Sequence, residues 1–311
     1  MISPEQLEAA AETIRRGGLV AFPTETVYGL GANALDPAAV ARIYEAKGRP
    51  ATSPLIVHVA SIDAARELAA EWPEAAQKLA RRYWPGPLTL VVPKQPCVPD
   101  IVTAGLGTVG IRIPSHPLAL RLIRQAGVPI AAPSANRFTG LSPTTAGHVR
   151  DSLGAAVDLI LDGGPTDIGI ESTVLSLAGP RPVLLRPGMV SQREIEELIG
   201  PVDLAAPGGA GAHRSPGMRR KHYSPHTRLL LVKGGAVPNR GRGGYVGLCS
   251  EPASAVAKVV WMPPDAALYA AVLYETLHRL DREGLDWIAV ERPPDRFDWA
   301  GILDRLERAA K

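Results

Sequence analysis

Cysteine and long apolar runs are scarce in this 311-residue chain, and each scarcity excludes a class of protein. Two cysteines, Cys97 and Cys249, are too few for a disulfide framework or a cysteine-based zinc site. No stretch approaches the roughly 18 consecutive apolar residues that a membrane helix needs. The first residues lack the basic, apolar and small-residue pattern of a secretory signal, so we expect a cytoplasmic protein without membrane association.

A large excess of one charge is also missing. The 34 basic and 31 acidic residues leave a formal net charge of +3, which permits contact with polyanions but does not predict a dedicated nucleic-acid binder. Glycine and proline are abundant instead, with 31 and 30 residues and no repeating period. This composition is typical of a globular protein with many tight connections and pockets lined by backbone.

Several familiar motifs are absent or misplaced. The chain contains no G-x-x-x-x-G-K-[ST], no H-E-x-x-H and no G-x-S-x-G. The run 105–110 matches G-x-G-x-x-G, but residues 111–114 (IRIP) predict a strand, whereas a dinucleotide fingerprint opens a helix. His222 and His226 have no acidic residue near them in sequence, so we favour a solvated pair and assign no metal site.

The order of apolar runs predicts an α/β protein with a mixed sheet. Ser3-Pro4-Glu5-Gln6 reads as the start of a first helix, and Asp36-Pro37 opens a second that runs to about Lys47. Strand-like runs lie at 19–22, 54–60, 88–92, 108–113, 128–132, 156–161, 173–177 and 183–185, with helical patterns near 63–83, 115–126, 142–153 and 191–199. Hairpin-like pairs and crossover helices together favour a mixed sheet over a pure βαβ array.

Glycine, proline and polar residues break every periodicity between 205 and 227, which predicts a linker. We therefore divide the chain into a domain over 1–204, a linker over 205–227 and a second domain over 228–311. In the second domain, strands at 229–232, 245–249, 258–262 and 287–290 and helices at 266–282 and 298–310 predict a small parallel, Rossmann-like α/β fold.

Dense polar clusters follow the predicted elements of the first domain. Arginine grips carboxylate or phosphate with two hydrogen bonds, while hydroxyl and backbone N–H groups cradle oxygen atoms. One cluster alone is typical of an ordinary solvated turn. Together they favour a cleft that binds phosphate and carboxylate, and they lie at 22–31, 44–58, 110–114, 132–136, 169–173 and 186–188.

These clusters resemble the threonylcarbamoyl-AMP synthases of the YrdC type, in their long two-domain form. The resemblance is carried by FPTETVYGLG (22–31), KGRP…PLIVH (47–58), GIRIP (110–114), APSAN…SPT (132–144), IEST (170–173), RPG (186–188) and SPGMRRKHYSP (215–225). It implies a twisted mixed sheet around a concave basic cavity in the first, catalytic domain. It also implies a nucleotidyltransferase that makes L-threonylcarbamoyl-adenylate from ATP, L-threonine and bicarbonate and releases pyrophosphate.

The resemblance also assigns residues and partners. Threonine binding falls on Thr26, His58, Arg112, Ala132 and Ser172, with Arg112 suited to clamp the carboxylate. ATP binding falls on Arg49, Ser53, Thr108, Ser134, Ser142, Arg186 and His222, and the catalytic cations are Lys47 and Arg49. Magnesium is expected with ATP, held mainly by the phosphates. Downstream proteins would transfer the threonylcarbamoyl group to adenosine 37 of tRNAs that read codons beginning with A.

The linker segment 215–225 resembles the part of the family that crosses the active site. Threonylcarbamoyl-adenylate is a mixed anhydride, so a lid that excludes water would protect it. We therefore expect an active-site lid here, and a flexible basic linker is the alternative.

Two other functions stay open at this point. A non-catalytic RNA-binding module is supported by the basic residues Arg214, Arg219, Arg220 and Lys221, but aromatic residues make up only 5% of the chain. A carbamoyltransferase of metal-cofactor maturation shares this domain type, but it predicts C-x-x-C zinc motifs that the chain lacks. Direct binding of tRNA is left undecided.

Overall fold

The computed structural model describes residues 2–205 and 222–311. Its helices are α1 (Pro4–Arg15), α2 (Pro37–Lys47), α3 (Ile62–Glu67), α4 (Glu74–Tyr83), α5 (Asp100–Thr103), α6 (Pro117–Ala126), α7 (Ala146–Leu153), α8 (Gln192–Ile199), α9 (Ala266–Asp281) and α10 (Ala300–Ala309). Across these described ranges, none of the helices combines the length and apolarity that a membrane span requires.

The strands form two sheets. They are β1 (Val20–Pro23), β2 (Tyr28–Asn33), β3 (Ile56–His58), β4 (Leu88–Pro93), β5 (Thr108–Arg112), β6 (Ile130–Ala131), β7 (Leu159–Ile160), β8 (Thr173–Ser176), β9 (Val183–Arg186), β10 (Asp203–Leu204), β11 (Arg228–Val232), β12 (Gly243–Gly247), β13 (Lys258–Trp261) and β14 (Trp287–Glu291). The first ten make one sheet in the order β10-β9-β8-β4-β5-β3-β6-β2-β1-β7.

The large sheet is mixed, as the sequence predicts. It combines parallel pairs, such as β3 with β5 and β4 with β8, with antiparallel pairs, such as β4 with β5 and β2 with β6. The remaining strands form a four-stranded, all-parallel sheet in the order β11-β14-β12-β13. The prediction of a small parallel α/β fold in the C-terminal part is therefore confirmed.

Local sequence signals set the ends of the first two helices. Ser3 and Gln6 form a reciprocal capping box at the start of α1, as predicted. The Asp36 side chain accepts hydrogen bonds from the first backbone N–H groups of α2, and Gly48 ends that helix at φ 60°. The turn at Gly48 places Lys47 and Arg49 on either side of a sharp change of direction.

One predicted helix is divided in the structure, and one strand of the structure is missing from the prediction. The helical pattern over 63–83 is two helices, α3 and α4, because Pro73 precedes the second helix as its N-cap. Strand β2 was not predicted, because Gly29 and Gly31 weaken its strand pattern. A Cβ at Gly31 would lie 2.7 Å from the Phe22 ring, so this glycine lets a buried aromatic side chain pack across the hairpin.

The C-terminal helices share a hydrophobic core with the large sheet's loops. Val27, Leu141 and Ile170 belong to the same buried cluster as the inner faces of α9 and α10. Gly169 makes this close contact possible, since its φ is +80° and a Cβ there would lie 2.2 Å from the Ala270 carbonyl oxygen. The two parts of the chain therefore pack directly on each other next to the IEST segment.

Candidate active site

A cavity opens where the polar ends of several strands meet the start of the C-terminal part. It is lined by predicted site residues from distant parts of the chain, namely Thr26, Arg49, His58, Arg112, Ala132, Ser134, Ser172, Arg186 and His222. Thr24, Glu171 and Tyr223 line it as well. The fold thus brings together residues from both predicted binding sets in one place.

Arg112, at the end of β5, is held in a fixed orientation. Its Nη1 donates to Thr26 Oγ1 at 3.0 Å, and its Nε donates to the Gly86 carbonyl oxygen at 3.2 Å. Nη2 lies 2.7 Å from Glu25 Oε1, and both side chains of this ion pair are buried. Since each Nη carries two N–H groups, the guanidinium can keep these contacts and still donate to a ligand carboxylate. Glu25 was missed by the sequence analysis, although it stands between two threonines of one motif.

Ser172 is oriented from two sides. Arg186 donates to the Ser172 carbonyl oxygen from Nε at 3.1 Å and to the Ser172 hydroxyl from Nη2 at 3.2 Å. The Thr89 hydroxyl lies 2.8 Å from the same Ser172 hydroxyl. A candidate ATP-binding arginine and a candidate threonine-binding serine are thus in direct contact.

Lys47 lies behind the cavity wall. Its Nζ donates to the main-chain oxygens of Ser134 and Asn136, each at 2.5 Å, and its side chain is buried. Burial, followed by the nearby Arg49 charge, holds the pKa of Lys47 well below its usual value. The amine therefore supports the loop that carries Ser134. Contact between the Lys47 amine and a phosphate of ATP stays a prediction.

Three more predicted residues lie off the cavity wall. Ser53 offers its main-chain oxygen to the Tyr44 hydroxyl at 3.0 Å and to Arg49 Nη2 at 3.3 Å. The Ser142 hydroxyl donates to Glu171 Oε1 and is fully buried. Thr108 lines a smaller neighbouring pocket that meets the main cavity at Ile56. Their predicted contacts with nucleotide stay predictions.

Two buried histidines face the cavity in the neutral state. Burial, and then the Arg112 charge, lowers the pKa of His58 to about 3. Burial also lowers the pKa of His222 to about 3, more strongly than Glu171 raises it. The Nδ1 atom of each ring has no hydrogen-bond partner among the described residues. A buried polar atom on a cavity wall is suited to meet a polar ligand atom.

The lowered pKa values of His58 and His222 predict that the protein loses stability in mild acid. An unfolded histidine with a pKa of 6.5 takes up a proton below that pH, whereas folded His58 stays neutral down to about pH 3. The free energy of unfolding should therefore fall as pH drops from 6.5, by roughly 2 kcal/mol at pH 5 for each such histidine. Denaturant unfolding between pH 7.5 and 5 measures this slope. The His58→Gln variant should show a shallower slope than the unaltered chain, and equal slopes would contradict the assignment.

Glu171 and Arg305 form a second buried ion pair at the cavity, which the sequence analysis missed. Burial raises the pKa of Glu171, but the Arg305 and Arg186 charges and the Ser142 hydrogen bond lower it by a larger amount. The resulting pKa is about 2. Arg305 Nε donates to Glu171 Oε2 at 2.7 Å. The sequence could have indicated Glu171, because it is a lone charged residue inside the otherwise neutral IEST segment. It could not have indicated Arg305, which resembles any other arginine of an amphipathic helix.

The predicted lid lies mostly outside the described residues, as do Arg214, Arg219, Arg220 and Lys221. Of the predicted segment 215–225, only 222–225 is described. There, His222 and Tyr223 line the cavity with ring centroids 4.1 Å apart, and the Ser224 N–H donates to the Thr139 carbonyl oxygen at 2.9 Å.

Comparisons with known proteins show the family of this chain. Residues 12–188 match the Sua5/YciO/YrdC family, described as "Telomere recombination", and residues 190–311 match "Threonylcarbamoyl-AMP synthase, C-terminal domain". The chain is 43% identical to a threonylcarbamoyl-AMP synthase of Pyrococcus abyssi, over 98% of this chain and 94% of the relative. It is 45% identical to one of Bacillus subtilis, over 98% and 93%. The crystal structure of P. abyssi Sua5 complexed with L-threonine superposes with a TM-score of 0.93 at 40% identity, over 100% of this chain and 95% of that one.

Proposed function

This chain belongs to the Sua5/YciO/YrdC family and carries the C-terminal domain of threonylcarbamoyl-AMP synthases, and we propose that it makes L-threonylcarbamoyl-adenylate from ATP, L-threonine and bicarbonate. It is an enzyme of the nucleotidyltransferase type. The observation that carries the proposal is one cavity lined by both predicted binding sets. We also propose the predicted division of the chain, with a catalytic domain over 1–204, a linker over 205–227 and a C-terminal domain over 228–311.

The threonine half of the proposed site is built around Arg112. Its guanidinium, held by Thr26 and Glu25, offers a planar fork that suits a carboxylate. Neutral His58 and the Ser172 hydroxyl supply polar atoms for the substrate hydroxyl and amine. Fixing the carboxylate and hydroxyl leaves the amine of threonine free to react with bicarbonate, forming a carbamate and water.

The nucleotide half of the proposed site adjoins the threonine half. We propose that a carbamate oxygen attacks the α-phosphorus of ATP, and that the bond to the departing pyrophosphate breaks. No protein nucleophile is needed, because positioning and neutralisation of the leaving group supply most of the rate effect in phosphoryl and nucleotidyl transfer. Arg49 and Arg186 line the cavity as cations suited to that neutralisation. Lys47 supports Ser134 from behind, and we assign it with Arg49 to the catalytic step.

Magnesium would enter with ATP. Glu171 lines the cavity and is paired with Arg305, and the Glu25 carboxylate is paired with the cavity residue Arg112. Within residues 2–205 and 222–311, no three histidine, cysteine or acidic side chains form a metal-binding group. We therefore propose that the phosphates hold the ion, which would neutralise part of their charge.

We propose that the product serves tRNA modification, as the family resemblance implies. A mixed anhydride is an activated acyl donor, so a second reaction must consume it by transferring the threonylcarbamoyl group. We propose that separate transfer proteins move this group to adenosine 37 of tRNAs that read codons beginning with A. We place the enzyme in the cytoplasm, where these substrates occur.

One assay tests the proposed function. The purified chain is incubated with ATP, magnesium, L-threonine and bicarbonate, and pyrophosphate is followed over time. Release should depend on both threonine and bicarbonate, and L-serine should be tested beside threonine. Release that continues without either co-substrate would refute the assignment. Tight RNA binding with no pyrophosphate release would favour the non-catalytic RNA-binding alternative.

A further inference from the structure

Arg305 of α10 reaches out of the C-terminal domain to the edge of the cavity. Its side chain is 1% exposed. Besides its bond to Glu171 Oε2, its Nη2 donates to the Glu171 carbonyl oxygen at 3.1 Å and its Nη1 donates to the Pro187 carbonyl oxygen at 3.0 Å. The guanidinium carbon also lies 5.2 Å from the centre of the Tyr223 ring. One side chain thus joins three segments that border the cavity.

Each of these segments adjoins a residue predicted to bind ATP. Glu171 accepts the hydrogen bond of the Ser142 hydroxyl, Pro187 directly follows Arg186, and Tyr223 directly follows His222. Ser172, a predicted threonine-binding residue, follows Glu171 as well. Its hydroxyl contacts Arg186 and Thr89, so among the predicted threonine-binding residues it is one that adjoins the Arg305 contacts.

The predicted threonine clamp is built separately. Arg112 and Thr26 are held by each other and by neighbours within the large sheet and its turns, among them Gly86 and Glu25. The residues that Arg305 contacts and those that fix the Arg112 guanidinium are therefore different sets. A change at Arg305 should reach the nucleotide half of the cavity before it reaches the threonine half.

We propose that Arg305 is a positioning residue for the nucleotide half of the cavity, so that the C-terminal domain acts on ATP binding through Glu171, Pro187 and Tyr223. This inference rests on the proposed function. The close approach that it needs is built into the fold, because a Cβ at Gly301 of α10 would lie 2.9 Å from the Gly188 Cα.

The chemistry of the pair predicts what its loss does. Removing one partner of a buried ion pair leaves an uncompensated charge, which the fold tolerates poorly. Without Arg305, Glu171 would lose its paired cation and keep only the Arg186 charge and the Tyr274 hydrogen bond. The acceptor of the Ser142 hydrogen bond would then be held less firmly. Lysine at 305 would keep the charge, but a single ammonium group cannot reach both carbonyl oxygens and the carboxylate in the planar arrangement of arginine.

The test compares Arg305→Met and Arg305→Lys with a matched control, Arg292→Met. Arg292 forms a partly exposed ion pair with Glu307 of the same domain, at 2.7 Å. Calorimetry measures the affinity for ATP with magnesium and, separately, for L-threonine. We expect Arg305→Met to weaken ATP binding about tenfold or more, as for loss of charge-assisted hydrogen bonds. The ATP affinity of Arg305→Lys should lie between those of Arg305→Met and the unaltered chain. The threonine affinity of both Arg305 variants should stay within about twofold of the unaltered chain. Arg292→Met should match the unaltered chain in both affinities.

The outcomes separate this inference from the proposed function. If Arg305→Met fails to fold, as judged by near-ultraviolet circular dichroism, Arg305→Lys carries the comparison. Equal weakening of ATP and threonine binding, or unchanged ATP affinity, would overturn the positioning role. An unaltered chain that binds ATP but releases no threonine-dependent pyrophosphate would overturn the proposed function, whereas weaker ATP binding by Arg305→Met would still support the positioning role. An unaltered chain that does not bind ATP overturns both.

Discussion

Replacing Arg112 with lysine should reduce threonine affinity by roughly 10- to 150-fold, equivalent to about 1.5–3 kcal/mol for a charge-assisted hydrogen bond. Lysine keeps the positive charge beside buried Glu25 but loses the planar fork that Thr26 and Gly86 orient. Calorimetric titration of Arg112→Lys with L-threonine, without nucleotide, measures the effect directly.

The control for this variant is Arg124→Lys, on the exposed face of α6. It makes the same chemical change away from the cavity and should bind threonine like the unaltered chain. Thermal unfolding of both variants shows whether the fold is retained. Unchanged threonine affinity in a folded Arg112→Lys protein would rule out the carboxylate clamp.

Replacing Lys47 with methionine should lower the rate of pyrophosphate release by on the order of 100-fold, comparable to the loss of a single preorganised donor in other active sites. The change leaves the buried main-chain oxygens of Ser134 and Asn136 without their shared donor, so the loop that carries Ser134 loses its support. Threonine affinity without nucleotide should stay within about twofold, because the Arg112 contacts are not involved.

Lys78→Met is the matched control, since Lys78 pairs with Glu74 on the exposed side of α4. Pyrophosphate release from this variant should equal that of the unaltered chain. If Lys47→Met loses threonine binding and turnover to the same extent, the residue supports the whole cavity and the assignment to the ATP step is wrong.

Short-range sequence signals predicted those parts of the fold that depend on near neighbours. Asp36, Pro37 and Gly48 determine where α2 starts and ends, because capping and the left-handed turn involve residues within one helical turn. The mixed character of the large sheet and the parallel C-terminal sheet also followed from the order of apolar runs. Short-range signals failed at β2, where the strand exists because two neighbouring strands pair with it.

The sequence motifs contain most of the residues that line the cavity, but they did not show which neighbours hold those side chains in place. Arg112 was predicted to clamp the threonine carboxylate, and the structure adds Glu25 as its buried partner. Lys47 was predicted as a cation facing phosphate, and the structure turns its amine toward two main-chain oxygens. Both additions concern the direction of a long side chain, which depends on acceptors that the sequence does not place beside it.

By itself, the sequence determined the family, the alternation of helices and strands, and which polar residues end the strands, because each depends on residue type and local spacing. Only the tertiary structure decided that Arg305 meets Glu171, 134 positions away, inside a core shared by both parts of the chain. The physical reason is burial. Burying an ion pair costs the desolvation of both charges, and only packing that brings the two partners into contact offsets that cost. Packing is a property of the whole fold.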